Sequence, residues 1–270
     1  MSKTAPAVER AALVLSLLAA RPADDLSLSE LARRLDLSKA SCHALLASLT
    51  ATGFVLRHPT RQTFRLGPAL IGLGRAAEEG FGAIDFARGQ MRELAARLQL
   101  ECFATAVAGE EIVVLDRARV HAPLSVSVRV GQRFPLAPPH GTVFLAWSPA
   151  EMIDGWLGPD LTTLQLQRYR EALAAVRRRG YAVRLTAEPD DEAGPDDRVL
   201  LELGGTDALR IHFVAAPVFG PDGSVAMALT LIGLPDQLTA GDLPSLAAEL
   251  CQAAAHVTEA IHGRAPTGNR

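Results

Sequence analysis

Residues 35 to 55 read LDLSKASCHALLASLTATGFV. Ser38, Lys39, Ala40, Ser41, His43 and Ala44 bring hydroxyls, an ammonium, an imidazole and methyl-sized side chains to the start of this stretch. Cys42, Leu45, Leu46 and Leu49 recur at the spacing of one helix face. Small and hydrogen-bonding groups ahead of an apolar rear suit close approach to base edges in a DNA major groove. Ser38 is placed to cap the helix and Gly53 to end it. The open N–H groups at its start would favour a nearby phosphate.

Other chemistry has weaker support. Asp116, His121, His140 and His212 have acid–base side chains, but none sits in a nucleophile elbow, a phosphate loop or a metal motif. The stretch GLGRAA, residues 72–77, imitates a dinucleotide fingerprint, yet no apolar strand feeds into it. The expectation is therefore no cofactor, no metal and no enzyme. Cys42, Cys102 and Cys251 are odd in number and far apart, which predicts structural thiols in a reducing cytoplasm.

Positioning elements follow from the periodicities. A helix is expected over about residues 6–20, burying Leu13, Val14, Leu17 and Leu18. A second begins at the capping box Ser27…Glu30 and buries Leu28, Leu31, Ala32 and Leu35. A three-residue turn joins it to the helix capped by Ser38, which makes a helix-turn-helix. FVLRHPTRQTFRLG then reads as a two-stranded hairpin with Phe54, Leu56, Phe64 and Leu66 inward. Arg57, His58, Arg61 and Arg65 gather near its tip, so that it could reach phosphate or the minor groove as a wing. Arg33 and Arg34 could add backbone contacts.

Beyond this head, residues 68–98 read as mostly helical with a break near Gly80 and Gly82. Strands are expected at ECFATAV, IVVLDRARV, LSVSVRV, YAVRL, LRIHFVAAPVF and SVAMALTLIG. Helices are expected at HGTVFLAW, after a capping box Ser148…Glu151, at QLQRYREALAAVRRRG, and from about Thr239 to His262. TAEPDDEAGPDD reads as an exposed loop and GRAPTGNR as a frayed tail. Antiparallel strands with helices around them predict an α+β body.

Length and charge bound these readings. The 270 residues are 49% hydrophobic, enough for one or two domains with real cores. No run of 18 apolar residues occurs. AALVLSLLAA could be the apolar part of a signal peptide, but Glu9 interrupts its charged start and its spacing equally suits a buried helix face. The net charge of −3 hides a division. Residues 1–75 hold ten basic against five acidic side chains, and the remainder 17 against 25. A basic head on an acidic body fits a head that meets a polyanion.

Residues 26–74, LSLSELARRLDLSKASCHALLASLTATGFVLRHPTRQTFRLGPALIGLG, resemble the winged helix-turn-helix of IclR-type bacterial transcriptional regulators. The resemblance continues through IVVLDRA, PLSVSVRVGQRFPL, GYAV, AAPVFGPDGSVAMAL and LT…L, in family order. It implies a winged head over residues 1–67, a linker helix over 68–83, a GAF-like effector-binding domain over 84–263 and a flexible tail over 264–270. The implied partners are a double-stranded DNA operator, a small organic effector and further copies of the chain, as a homodimer or homotetramer.

In the family the effector pocket is lined by a loop and two strands, which here correspond to Ala137, Pro138, Pro139, His140, Gly141 and Thr142, to Phe213 and Ala215, and to Thr230. This chain departs from the family in its shorter loop PLAPPHGTVF, in Phe213 where relatives often have cysteine, and in Ala44 where relatives often have arginine. The first two departures either repack the core or shape a drier pocket for a ligand larger or more apolar than the short keto acids some relatives bind. In the latter case His140 or Thr142 meets its polar end. Loss of the arginine removes a possible guanine contact, worth about 1–3 kcal/mol of discrimination. Two rivals remain on the sequence alone: an enzyme or ligand-storage body with an inert head, and a head used for protein contacts.

Overall fold

The computed structural model describes residues 5–21, 24–80, 82–119, 128–185, 210–235, 238–239 and 241–266, with the side chains of residues 78 and 79 excepted. His121, residues 124–127 of LSVSVRV, the TAEPDDEAGPDD stretch and residues 267–270 lie outside them. The chain divides into two compact units, Met1–Phe81 and Gly82–Arg270.

In the first unit α1 (Pro6–Ala19) starts with proline at its amino end, where the missing N–H costs nothing. It buries Val14 and Leu18, while Leu13 is 52% exposed. The predicted stripe is thus centred one position away from Leu13. α2 (Leu28–Arg34) opens on the expected capping box, with Ser27 Oγ accepting from Glu30 N and Glu30 Oε2 accepting from Ser27 N. The Ser27 hydroxyl, which donates to Glu30 Oε2 at 2.7 Å, and then the Ser27 N–H hold the Glu30 carboxyl below its ordinary range. Asp36, at φ 50°, turns the chain into α3 (Lys39–Ala51), whose Ser38 cap accepts from Ser41 N at 3.1 Å.

The wing departs from expectation in two ways. β2 (Val55–Arg57) pairs with β3 (Thr63–Leu66) in the register Val55↔Leu66, Leu56↔Arg65, Arg57↔Phe64. Opposed residues share a face, so Val55 and Phe64 face the core, and Leu56, expected inward, stands outward beside Arg65. A short strand before α2, β1 (Leu26–Ser27), pairs with β3 and makes the sheet three-stranded, in the order β1-β3-β2. Val14, Leu18, Leu31, Cys42, Leu46, Leu49, Val55 and Phe64 form one core. α4 (Ala69–Gly80) follows and contains the whole of GLGRAA within its helix, which leaves no loop there to cradle a phosphate.

In the second unit the described residues form a six-stranded antiparallel sheet in the order β6-β5-β4-β9-β8-β7. Its strands are β4 (Glu101–Ala108), β5 (Glu111–Ala118), β6 (Arg133–Pro135), β7 (Ala182–Leu185), β8 (Ile211–Phe219) and β9 (Val225–Ile232). α5 (Ala83–Leu98) and α9 (Leu243–Ala260) cover one face through Met91, Leu94, Leu250 and Val257. α6 (Thr142–Leu145), α7 (Ala150–Leu157) and α8 (Thr163–Arg179) pack on the other. The α+β expectation holds.

Three local expectations fail. Residues 128–130 are not strand. Ser148 does not cap α7; its hydroxyl donates back to Phe144 O at 3.3 Å, and Pro149 takes the N-cap without a side-chain bond. α9 starts at Leu243, after a turn in which Thr239 Oγ1 accepts from Asp242 N. After α9, Gly263 N donates to Thr258 O and Arg264 N to Gly220 O, which fastens this segment to the β8–β9 turn.

Gly67 N donates to Phe54 O at 2.7 Å as the chain leaves the wing, and a Cβ on Gly67 would collide with the Gly53 carbonyl. Gly53 itself has φ +74° and ends α3 with Phe54 N donating back to Leu49 O. Gly67→Ala should therefore destabilise the head by about 2–4 kcal/mol, since backbone on both sides must move. Denaturant unfolding of the full chain, followed by a probe in the head, checks this.

Candidate nucleic-acid interface and effector site

The amino end of α3 presents Lys39, Ala40, His43 and Ala44 to solvent, with Ser41 half-buried. Cys42, Leu46 and Leu49 hold its rear in the core, as their spacing required, whereas Leu45, expected on the same face, is only half-buried and does not belong to that core. Ser38 is exposed, but its hydroxyl already accepts from Ser41 N and donates to Ser41 Oγ at 2.9 Å. Ser38 and Ser41 therefore serve each other, which leaves Lys39, His43 and the two alanines to face a ligand.

At the wing, Arg57, Arg61 and Arg65 are exposed. The half-buried His58 organises the tip: its Nδ1 accepts from Thr60 N at 3.3 Å and from Arg61 N at 3.1 Å. Gln62, at φ 55°, accepts from Arg57 through Oε1 and donates to Pro59 O at 3.3 Å. Gln62 thus aims the Arg57 guanidinium, a role the sequence alone does not show because it depends on a left-handed tip residue. A cleft of about 230 Å³ between α3 and the wing is lined by His43, Ala47, Thr50, Arg57, Gln62 and Phe64. Small side chains on one wall and a held guanidinium on the other suit a phosphodiester backbone.

In the body, the loop and strand residues meet on the α6–α8 side of the sheet. Ala215 pairs with Thr230, and Phe213 with Ile232. Phe213 and Phe134 pack against Phe103, Val114, Val128 and Ile232. In the loop, Ala137 is exposed, Pro138 and Pro139 are half-buried and joined by a cis peptide, and His140 N donates to Ala137 O at 2.8 Å. The His140 carbonyl accepts from Trp156 Nε1 at 2.8 Å, and its ring lies 6.0 Å from that of Phe134. Gly141, at φ +99°, fits where a Cβ would meet Leu136 at 2.7 Å. Thr142 is buried in the first turn of α6.

Arg184 lies opposite Phe213 in register, with one guanidinium nitrogen 3.4 Å from His140 Nδ1. Burial first, then the Arg184 charge, pushes the His140 and His212 imidazoles below their ordinary value. They are neutral at neutral pH beside a cation, an arrangement that favours an anionic or acceptor group. Arg184, Phe103 and Phe134 do not stand out in the sequence, because it is strand register that brings them beside the loop and Phe213.

Residues 7–59 match the IclR helix-turn-helix domain, and residues 80–188 match the bacterial transcriptional regulator IclR C-terminal domain. The glycerol operon regulatory protein of Streptomyces griseus is 30% identical over 68% of this chain and 75% of its own. The chain belongs to the IclR family of bacterial transcriptional regulators. As in that family, a helix-turn-helix DNA-binding head precedes an effector-binding body. An IclR transcriptional regulator from Alicyclobacillus acidocaldarius has a similar structure, with a TM-score of 0.72 at 25% identity over 97% of this chain and 100% of that one. An IclR homolog from Microbacterium hydrocarbonoxydans, complexed with 4-hydroxybenzoate, shares the fold at a TM-score of 0.66 and 20% identity, over 92% and 98% of the two chains.

The two depressed imidazoles set a pH dependence. The unfolded chain takes up protons on them near pH 6.5 while the folded body does not, so this IclR-family protein loses stability as pH falls through that region. Its melting temperature should be lower at pH 5.5 than at 7.5. His140→Gln with His212→Gln should shrink that difference.

Proposed function

We propose that this IclR-family regulator acts as a cytoplasmic homo-oligomer, a dimer or tetramer, that sets two winged heads on a near-palindromic operator. Half-sites lie about one helical turn or a multiple apart. The supporting observation is the exposed first turn of α3 on a helix whose rear is buried. Lys39, Ala40, His43 and Ala44 read base edges, capped by Ser38 and Ser41. Arg57, His58 and Arg61 hold the backbone from the wing. A ligand seated on residues 137–142, Phe213, Ala215 and Thr230 shifts operator affinity to the extent that it prefers one arrangement of the bodies.

The boundaries 1–67, 68–83, 84–263 and 264–270 serve these roles as head, linker helix, body and tail. No helix among the described residues is long and apolar enough to cross a membrane. The 4-hydroxybenzoate bound to the Microbacterium relative supports a small organic effector here. Phe213 supports one more apolar than a short keto acid.

Mobility shifts with the chain's own promoter region test the head. Operator affinity should fall steeply with salt, and removing the cation that meets one phosphate should lower the log–log slope by about 0.9. Lys39→Glu with Arg61→Glu should abolish the shift while leaving the melting temperature unchanged. A salt-independent shift would sink the reading. For the body, Phe213→Ala and His140→Ala should each alter the effector response of a promoter reporter; unchanged responses in both would remove these residues from the site.

A further inference from the structure

A cleft of about 480 Å³ in the body lies apart from the effector loop. Arg92, Ala95 and Ala96 of α5 form one wall, and Arg117, Ala118 and Arg119, at and just past the end of β5, form the other. α5 covers the face of the sheet opposite α6–α8, and Ala118 belongs to the core beneath it. The cleft therefore shares no residue with the loop over 137–142, Phe213, Ala215 or Thr230.

Three guanidiniums line this cleft, and one carboxylate answers them. Arg117 donates to the Val128 carbonyl, a neutral partner that leaves its charge in place. Arg119 Nε stands 3.6 Å from Oε2 of the buried Glu101. Arg92 is exposed and, among the described residues, has neither a hydrogen bond nor an ion pair. The acids nearby on α5 and β5 are committed to other cations: Asp85 and Asp116 to Arg88 at 2.9 and 2.6 Å, and Glu93 to Arg97 at 3.4 Å. Three cations facing one anion leave an excess that suits a dianion.

We propose that this cleft is a second small-molecule site of the body and takes a dianionic phosphate group, either free phosphate or the monoester of a small metabolite. Guanidiniums from two walls can each meet a different oxygen of a tetrahedral group, a match that a planar carboxylate does not offer. Ala95, Ala96 and Ala118 place only methyl groups between them, which leaves room for close approach. Two of the three arginines are already held, by Val128 and by Glu101, so less side-chain freedom is lost on binding.

Calorimetry of the full chain with inorganic phosphate, glucose 6-phosphate and acetate tests this, in the native protein, in Arg92→Gln and in Ala96→Glu. Both replaced side chains are exposed on α5, so both variants should melt with the native chain; if one melts low, the other decides. The native chain should bind phosphate and its ester about tenfold or more tighter than acetate, and each variant should weaken that binding about tenfold or more. Saturating phosphate should raise the melting temperature of the native chain and not that of Ala96→Glu. Tighter binding of the ester would mark a phosphorylated metabolite as the occupant, and equal binding would mark free phosphate. No phosphate binding by the native chain, acetate bound as tightly, or binding that survives both substitutions would each overturn the proposal. So would unchanged phosphate binding in Arg92→Gln together with a lower salt slope for the operator, since the cleft would then meet DNA backbone instead.

Discussion

The head depends on how α3 is seated. Cys42, Leu46 and Leu49 lock its rear against Val14, Leu18, Leu31, Val55 and Phe64, and burial of each larger aliphatic or aromatic side chain contributes about 1.5–3 kcal/mol. Because this grip is confined to one stripe that begins at Cys42, Lys39, Ala40, His43 and Ala44 project to solvent on the other side of the helix. Ser38 and Ser41 then tie the first turn together from within, so Lys39, Ala40, His43 and Ala44 stand on a capped backbone. The wing is steadied differently, by polar bonds at its tip: His58 organises the turn and Gln62 holds Arg57. The head thus combines a helix held by apolar packing with a hairpin tip held by polar bonds.

In the body, strand register plays the corresponding part. A single antiparallel sheet sends alternate side chains to opposite sides. Val214, Ala216 and Val218 of β8 enter the core beneath α5 and α9, while Phe213 and Ala215 face the α6–α8 side. One strand therefore builds a dry foundation and a chemically mixed floor at once. Arg184, His140 and Glu101 are distant in sequence, and two of them occupy one rung while the third reaches it from a loop.

What could be read beforehand follows from how local the signal is. The Ser27–Glu30 box, the Ser38 cap, the Gly53 stop and the rear stripe of α3 all depend on residues within a few positions, and all form, the stripe without Leu45. Leu56 was misplaced because a hairpin of alternating residues looks the same in either parity; Val55 opposite Leu66 decides it. Ser148 was misread because its hydroxyl had two backbone suitors, and the preceding helix won. β1 is two residues long and exists only through its pairing with β3, which no local pattern announces. The loop over residues 137–142 is singled out by family likeness alone. Arg184 needed the fold, since its neighbours lie on other elements, and Gln62 needed a left-handed turn that no local pattern announces.

The order of strands has a consequence for synthesis. β4, the first strand of the body to be made, lies beside β9, the last. Until Val225–Ile232 has emerged, the β4–β5 hairpin that ended at Ala118 has an open inner edge, a state prone to mispairing. The head has no such wait, because all of its strands and helices lie within the first eighty residues. On a ribosome the DNA-reading part can be finished while the ligand-sensing part is still half a sheet.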